Sequence, residues 1–466
     1  MDYDIIIIGS GPGGYVAGIR AAQLGLKTAV VERAEIGGIC LNWGCIPTKA
    51  LLKSAQVFNY ASHSAAYGVN ISGNISPDLP AMVTRSRAVA SQMSKGVDFL
   101  FKKNGVETIA GSGKIASAGR VEVTDSEGNK KEYTAKHIIL ATGAHSKQLP
   151  NLPQDGKKII GYREAMTLSE KPDSMVVVGS GAIGSEFAFF YKSIGVDVTL
   201  VEYMPNIIPL EDEEASKNLA RAFKKMKMKV MTSSAVESVD TTGEKCLVNI
   251  STKRGPVQVE ADIVLSAVGI ETNLEGLGLE EIGIKYEKGK IAVDEYYRTN
   301  VEGVYAIGDI VHGPALAHVA SREGIVCVEN IAGHKPQTID YENIPACTYT
   351  TPEVASVGLT QQQAEEQGYK LRIGKFPFKA SGKAAAGGNN DGFVKLIIDA
   401  DSDLILGCSM VGDNVTEMIS EIVALRKEGV KAKELISTVH PHPTMSEAVM
   451  EAAAAAYGEA IHIINL

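Results

Sequence analysis

Asp4-Ile5-Ile6-Ile7-Ile8-Gly9-Ser10-Gly11-Pro12-Gly13-Gly14 stands near the start of the chain, and Ser174-Met175-Val176-Val177-Val178-Gly179-Ser180-Gly181-Ala182-Ile183-Gly184 repeats its pattern 170 residues later. The repeat runs well past the glycines. Gly25 matches Gly195, and Thr28-Ala29-Val30-Val31-Glu32 matches Val198-Thr199-Leu200-Val201-Glu202. Each copy is an apolar run too short for a helix, a glycine turn, an amphipathic stretch and a second apolar run ending in a carboxylate. That order predicts strand, turn, helix, strand. Gly25 and Gly195 fall where the helix must end on a left-handed residue, which glycine adopts without steric cost.

The residue types in this unit suit a dinucleotide. The first glycine permits the tight turn, the second lets a pyrophosphate approach the backbone, and the third allows close helix–strand packing. The helix N-terminus supplies unpaired N–H groups to the anion, and the carboxylate eighteen residues after the third glycine can accept from an adenosine ribose. One such turn is weak evidence; two in the same register are strong. The plainer alternative is a duplicated Rossmann-like scaffold with dead sites. At the second turn Glu202 would repel a 2′-phosphate and Tyr203-Met204-Pro205 offers no arginine, so NAD is expected over NADP. The first turn, beside the cysteines described next, is the expected place for FAD.

Gly37-Gly38-Ile39-Cys40-Leu41-Asn42-Trp43-Gly44-Cys45-Ile46-Pro47-Thr48-Lys49 follows the first unit closely. Cys40 and Cys45 would not share a face of one continuous helix. They can meet if Cys40 lies in a loop and Cys45 in the first turn of a helix, where the terminus and Lys49 favour a thiolate. A static disulfide or a zinc half-site are the bland readings, and zinc lacks further ligands at matching spacing. The other four cysteines (Cys246, Cys327, Cys347, Cys408) are scattered, which fits a reducing compartment and a cytoplasmic location. Thiol chemistry needs a base, and Val439-His440-Pro441-His442-Pro443-Thr444-Met445-Ser446-Glu447 is the best candidate. Glu447, at the start of the next helix, could hold one ring nitrogen and turn the other toward a substrate thiol. His318 reads as structural or cofactor-flanking, and the remaining histidines form no constellation.

Bulk properties exclude several classes. A chain of 466 residues implies two or three domains, and the net charge of −9 argues against a nucleic-acid face. No apolar run approaches a membrane span, and Met1-Asp2-Tyr3-Asp4 lacks the basic region of a signal peptide. Residues 111–143 read as a β-rich excursion with a return strand at 137–143. The second unit has its own return strand at 263–269, and Thr299 to Asp309 reads as a strand ending in an aspartate. Such an aspartate is otherwise a helix N-cap. From about residue 345 the pattern changes, with strands near 394–398 and 404–411 and alanine-rich helices.

The cysteine segment, both glycine turns, Tyr305-Ala306-Ile307-Gly308-Asp309 and His442-Pro443-Thr444 with Glu447 resemble the pyridine nucleotide–disulfide oxidoreductase family, and within it the enzymes that oxidise dihydrolipoamide. The likeness runs the whole chain in order. It implies an α/β fold with two Rossmann-like dinucleotide-binding domains of three-layer ββα type and an α+β C-terminal dimerisation domain. The domains would be 1–149 with 272–344 for FAD, 150–271 for NAD, and 345–466 for the interface. It implies FAD contacts at Gly9, Gly11, Gly14 and Glu32, and at Lys49, Gly143, Asp309 and Ala317. NAD contacts would come from Gly179, Gly181, Gly184, Glu202 and Gly269, with Glu186 near the nicotinamide.

No metal is implied. The implied assembly is a homodimer in which His442 serves the partner subunit's disulfide, with Cys40 meeting the substrate and Cys45 the flavin. The partner would be the lipoyl domain of an acyltransferase or of a glycine cleavage carrier protein. Trp43, Thr48 and Pro441 depart from the residues commonest in relatives. Glutathione reductase-like enzymes share the scaffold but favour NADP. A non-catalytic flavin-binding interaction protein would be expected to have lost Cys45 or His442.

Overall fold

The computed structural model describes residues 1–465. They form two compact units, the first comprising Met1–Leu51, Asp78–Lys147 and Gly269–Ile339, the second Leu52–Pro77, Gln148–Val268 and the chain from Asp340 on.

In the first unit, β1 (Tyr3–Ile8) is followed by α1 (Pro12–Gln23) and β2 (Thr28–Glu32). β1 lies between β2 and the strand Lys130–Leu140, parallel to both. Glu107–Ala110 extends the sheet beyond β2, and Val304–Ala306 pairs in parallel with the end of Lys130–Leu140. β1 is buried on both faces, which is why it reads as a continuous isoleucine run rather than an alternating one. Ile5 and Ile7 pack with Ala17 and Ala21 of α1 and with Val97 and Phe101 of the helix Leu79–Asn104. Ile6 and Ile8 pack on the other side against Ile115, Val121 and Val123 of the antiparallel strands Ser112–Ser117 and Arg120–Thr124. Helices, central sheet and β-layer make the expected three layers. Each fully buried isoleucine contributes about 1.5–3 kcal/mol over leaving it in water.

The second unit repeats this plan. β3 (Ser174–Val178), α4 (Ala182–Ser193) and β4 (Asp197–Val201) belong to a five-stranded parallel sheet with Lys229–Met231, Ile263–Ser266 and Ile159–Ile160. The antiparallel strands Ser234–Asp240, Cys246–Thr252 and Gly255–Ala261 form its β-layer, Cys246, Val248 and Ile250 packing with Val176 and Val178. The unit also holds a five-stranded antiparallel sheet (Ala346–Thr348, Glu353–Gly358, Ile405–Gly412, Phe393–Asp399, Leu371–Pro377). Its core includes residues of the helix Val415–Lys427 and of α5 (Glu447–Ala455).

Two expectations need correction. The C-terminal sheet has five strands where two were anticipated. The strand near 304 stops at Ala306, and Asp309 sits in a following 3₁₀ turn, Gly308–Ile310, rather than at a strand end. Residues Leu52–Pro77 group with the second unit.

Candidate active site

The two glycine turns have the same construction. Gly9 (φ +104°) and Gly179 (φ +95°) take a conformation that side chains strain, and a Cβ on them would stand 2.3 Å from the Ala141 carbonyl oxygen and 2.4 Å from that of Ala267. A Cβ on Gly14 or Gly184 would come within 1.9 Å of the Gly9 or Gly179 oxygen. These four glycines are therefore required by the fold itself. Gly11 and Gly181 are not: each has φ −60°, and a Cβ there would meet nothing within 4 Å. Both are N-caps without a side-chain cap, so open space faces the bare N–H groups of α1 and of α4. A glycine that neither packing nor backbone demands, beside free helix donors, fits a pyrophosphate approaching from outside.

The two carboxylates also match. Glu32 accepts from the Ser10 N–H (2.9 Å) and hydroxyl (2.6 Å) and from the Ala34 N–H (2.8 Å). Glu202 accepts from the Ser180 N–H (2.8 Å) and hydroxyl (2.7 Å) and from the Met204 N–H (2.7 Å). Each carboxylate thus braces its own turn, a role that sequence reasoning missed.

Other residues assigned to FAD converge on the first turn. Gly143 (φ +66°) directly follows Ala141 and Thr142, which wall Gly9. The helix Ala317–Ile331 lies against α1 so closely that a Cβ on Gly324 would meet the Gly13 oxygen at 2.7 Å. Its N-terminus at Ala317 has no side-chain cap. Asp309 caps no helix; burial raises its carboxyl above the ordinary range against the pull of Lys290, which suits a group that binds hydroxyls. Glu186 is buried on α4 and accepts from the Tyr349 N–H at 3.0 Å. Gly269 (φ +112°) begins the last segment of the first unit and accepts from the Lys147 N–H (3.0 Å).

Cys40 lies within a short helix, α2 (Gly38–Trp43), and not in a loop as expected; Cys45 opens a second helix, α3 (Cys45–Ser62). Gly44 makes the joint between them, with φ −142° and ψ −116°. Both cysteine side chains are half-buried. The described residues hold no cluster of three or more potential metal ligands, so the zinc alternative gains no support. The Cys45 side chain, hydrogen-bonded to the Cys40 thiol, raises the pKa of that thiol, and burial adds to the effect. The Cys45 N–H and the Lys49 charge act the other way and favour a thiolate. The Tyr15 hydroxyl of α1 is raised by burial and then by the charges of both cysteines.

The two C-terminal histidines have different surroundings. His440 is enclosed, its side chain 5% exposed, with Nε2 on Glu421 (2.8 Å) and Nδ1 on the Thr438 carbonyl (3.0 Å). His442 is 78% exposed and its Nδ1 is 2.7 Å from Glu447 Oε1. Partial burial opposes ionisation of Glu447, but the Thr444 N–H (2.8 Å) and the His442 ring hold its carboxyl below the usual range. A second His–Glu pair, unforeseen in the sequence, joins His462 Nδ1 to Glu451 at 2.6 Å, one turn further along α5. His318 stands exposed in the first turn of its helix.

A fold of two glycine-turn dinucleotide units with a dithiol beside the first defines a disulfide oxidoreductase. The chain belongs to the pyridine nucleotide-disulphide oxidoreductase family, whose model matches residues 3–324, while the family's dimerisation-domain model matches residues 344–453. Its relatives include the dihydrolipoyl dehydrogenase of Rhizobium etli, 48% identical over 99% of both chains. That of Zymomonas mobilis is 47% identical over the same share. Among solved structures, LpdA from Mycobacterium tuberculosis superposes with a TM-score of 0.90 at 29% identity, covering 96% of this chain and 98% of its own.

Proposed function

We propose that this chain oxidises protein-bound dihydrolipoamide to lipoamide with reduction of NAD, using FAD at the first turn, NAD at the second and the Cys40–Cys45 pair between substrate and flavin. The observation that carries the reading is the thiol–thiol contact of Cys40 and Cys45 in a half-buried site beside the first glycine turn. The chain would work as a homodimer through residues 345–466, with FAD held by 1–149 and 272–344 and NAD by 150–271. Its partner is the lipoyl domain of a 2-oxo acid dehydrogenase complex or the carrier of a glycine cleavage system.

The chemistry by this chain's own residues is thiol–disulfide exchange. His442, its Nδ1 held by Glu447, offers Nε2 as the base for a substrate thiol. The resulting thiolate attacks Cys40 Sγ of the oxidised pair; a mixed disulfide forms, and Cys45 leaves as a thiolate. The second substrate thiol, deprotonated in turn, attacks the substrate sulfur of that mixed disulfide and releases Cys40. The substrate has lost two electrons and the pair has gained them, ending as a dithiol. What the two dinucleotides supply when bound is onward transfer of that electron pair to NAD. Lys49 favours the Cys40 thiolate through its charge, and Glu202 disfavours a 2′-phosphate at the second turn.

The test compares NAD-linked oxidation of dihydrolipoamide with NADPH-linked reduction of glutathione disulfide. The first reaction should be faster by orders of magnitude. A faster second reaction would assign the chain to the glutathione reductase type.

A further inference from the structure

One helix, Leu79–Asn104, binds the peptide carbonyls on both sides of the cysteine pair. Ser94 Oγ donates to the Ile36 carbonyl (2.7 Å) just ahead of α2. Arg87 donates to the Asn42 carbonyl in the last turn of α2. Ser86 Oγ donates to the Pro47 carbonyl (2.8 Å) and Arg85 Nη1 to the Ala50 carbonyl (2.8 Å), both on α3. Three consecutive residues therefore reach across Gly44, the joint between the helix of Cys40 and the helix of Cys45. The Arg87 guanidinium also stands 4.1 Å from the centre of the Trp43 ring, whose Nε1 donates to Glu35 (3.1 Å). Asn42 is at a helix end, where carbonyls lack intrahelical partners and a cation is favoured.

We infer that Arg87 is a positioning residue of the redox pair: by tying the end of α2 to the helix that also grips α3, it sets the balance between the Cys40–Cys45 disulfide and the dithiol. This rests on the reading of that pair as redox-active. A disulfide closes only if the two Cα atoms stay within about 4.4–6.8 Å and the Cβ vectors face each other. The Gly44 joint leaves α2 free to swing relative to α3 unless something outside them holds both. Holding them raises the effective concentration of one sulfur at the other and so favours closure. Arg87 is not among the main influences on the Cys40 thiol, whereas Lys49 is. Its effect therefore comes through geometry rather than through its field.

The experiment equilibrates the flavin-loaded protein in graded dithiothreitol or glutathione buffers, alkylates free thiols and counts them by mass. Arg87→Gln should shift the equilibrium about tenfold toward the dithiol, a potential change of about 30 mV for a two-electron couple. Arg87→Lys, which keeps a donor but loses the planar group over Trp43, should recover part of that shift. Ser86→Ala should move the balance about threefold the same way, and it decides the matter if Arg87→Gln fails to fold. An unchanged equilibrium, or a shift toward the disulfide, in folded variants overturns the positioning role. If the wild-type pair forms no disulfide in any buffer, the redox reading itself falls.

Discussion

Gly38 rests against Gly11: a Cβ on Gly38 would stand 2.7 Å from the Gly11 Cα, and Gly38 itself holds φ +60°. Only a hydrogen fits between the start of the cysteine helix and the turn read as the first dinucleotide site. Gly38→Ala should push α2 off that turn and strain the backbone by about 1–2 kcal/mol. Flavin retained after purification, read from absorbance, should fall severalfold; full retention with unchanged turnover would refute the shared wall.

A sharper contrast is available at the second turn. Gly184→Ala forces its Cβ to 1.9 Å from the Gly179 oxygen and should destabilise the fold by several kcal/mol, whereas at Gly181 a Cβ meets no atom of the chain. Gly181→Ala should leave the melting temperature within about 2 °C and weaken NAD binding by tenfold or more. Calorimetry and titration calorimetry on the two variants check this. Unaltered NAD affinity in Gly181→Ala would remove the pyrophosphate from that position.

Replacing Cys45 by Ser should abolish dihydrolipoamide oxidation, to below about one thousandth of wild type, while FAD stays bound. Retained turnover would exclude the exchange mechanism.

His442→Gln should lower kcat by about 10²–10⁴-fold, the usual worth of a positioned base. Glu447→Gln should cost less and displace the acidic limb of the pH–rate profile, because the imidazolium formed on His442 loses its counter-charge. By contrast His440→Gln, which removes a buried contact to Glu421, should reduce stability more than chemistry. Equal kinetic losses in the two histidine variants would overturn this assignment.

Glu211 gives a pH prediction with a definite sign. Burial pushes its carboxyl from 4.5 up to about 7, opposed by the Ser356 hydrogen bond and reinforced by Asp212. Its Oε2 has no partner, and the nearby buried Lys395 is bonded to Asp212 and Glu214. The folded chain therefore holds this proton more tightly than the unfolded chain. Its contribution is fully favourable below pH 4.5 and is lost as pH rises through about 7. Glu211→Gln should stabilise the protein by up to about 3 kcal/mol at pH 8 and converge with wild type near pH 4.5 in urea titrations. Parallel pH curves for the two proteins would contradict this.

The 170-residue repeat made the architecture legible, because glycine spacing and buried strand runs are local signals that tertiary contacts do not override. What escaped was set by contacts between distant segments. Nothing in the spacing shows that Arg85, Ser86 and Arg87 grip carbonyls some forty residues earlier, or that Glu32 and Glu202 brace Ser10 and Ser180. The proline that follows each of His440 and His442 gives no sign of their opposite exposure, which depends on Glu421 of a separate helix. The spacing of Cys40 and Cys45 argues against one continuous helix and so points to a loop at Cys40, yet Gly44 divides the run into two helices, with Gly37 and Gly38 taking positive φ at the start of the first. The pairing of His462 with Glu451 depends on how the chain folds back after α5 ends at Ala455, which no helical or strand period records.

Every atom that shapes the first glycine turn, from the Ala141 oxygen to Glu32, belongs to the first unit, and those that shape the second, from the Ala267 oxygen to Glu202, belong to the second. Matching positions can therefore drift separately under selection. A lineage could retune the specificity of the second turn without revising the first, and each half offers the experimenter an internal control for the other.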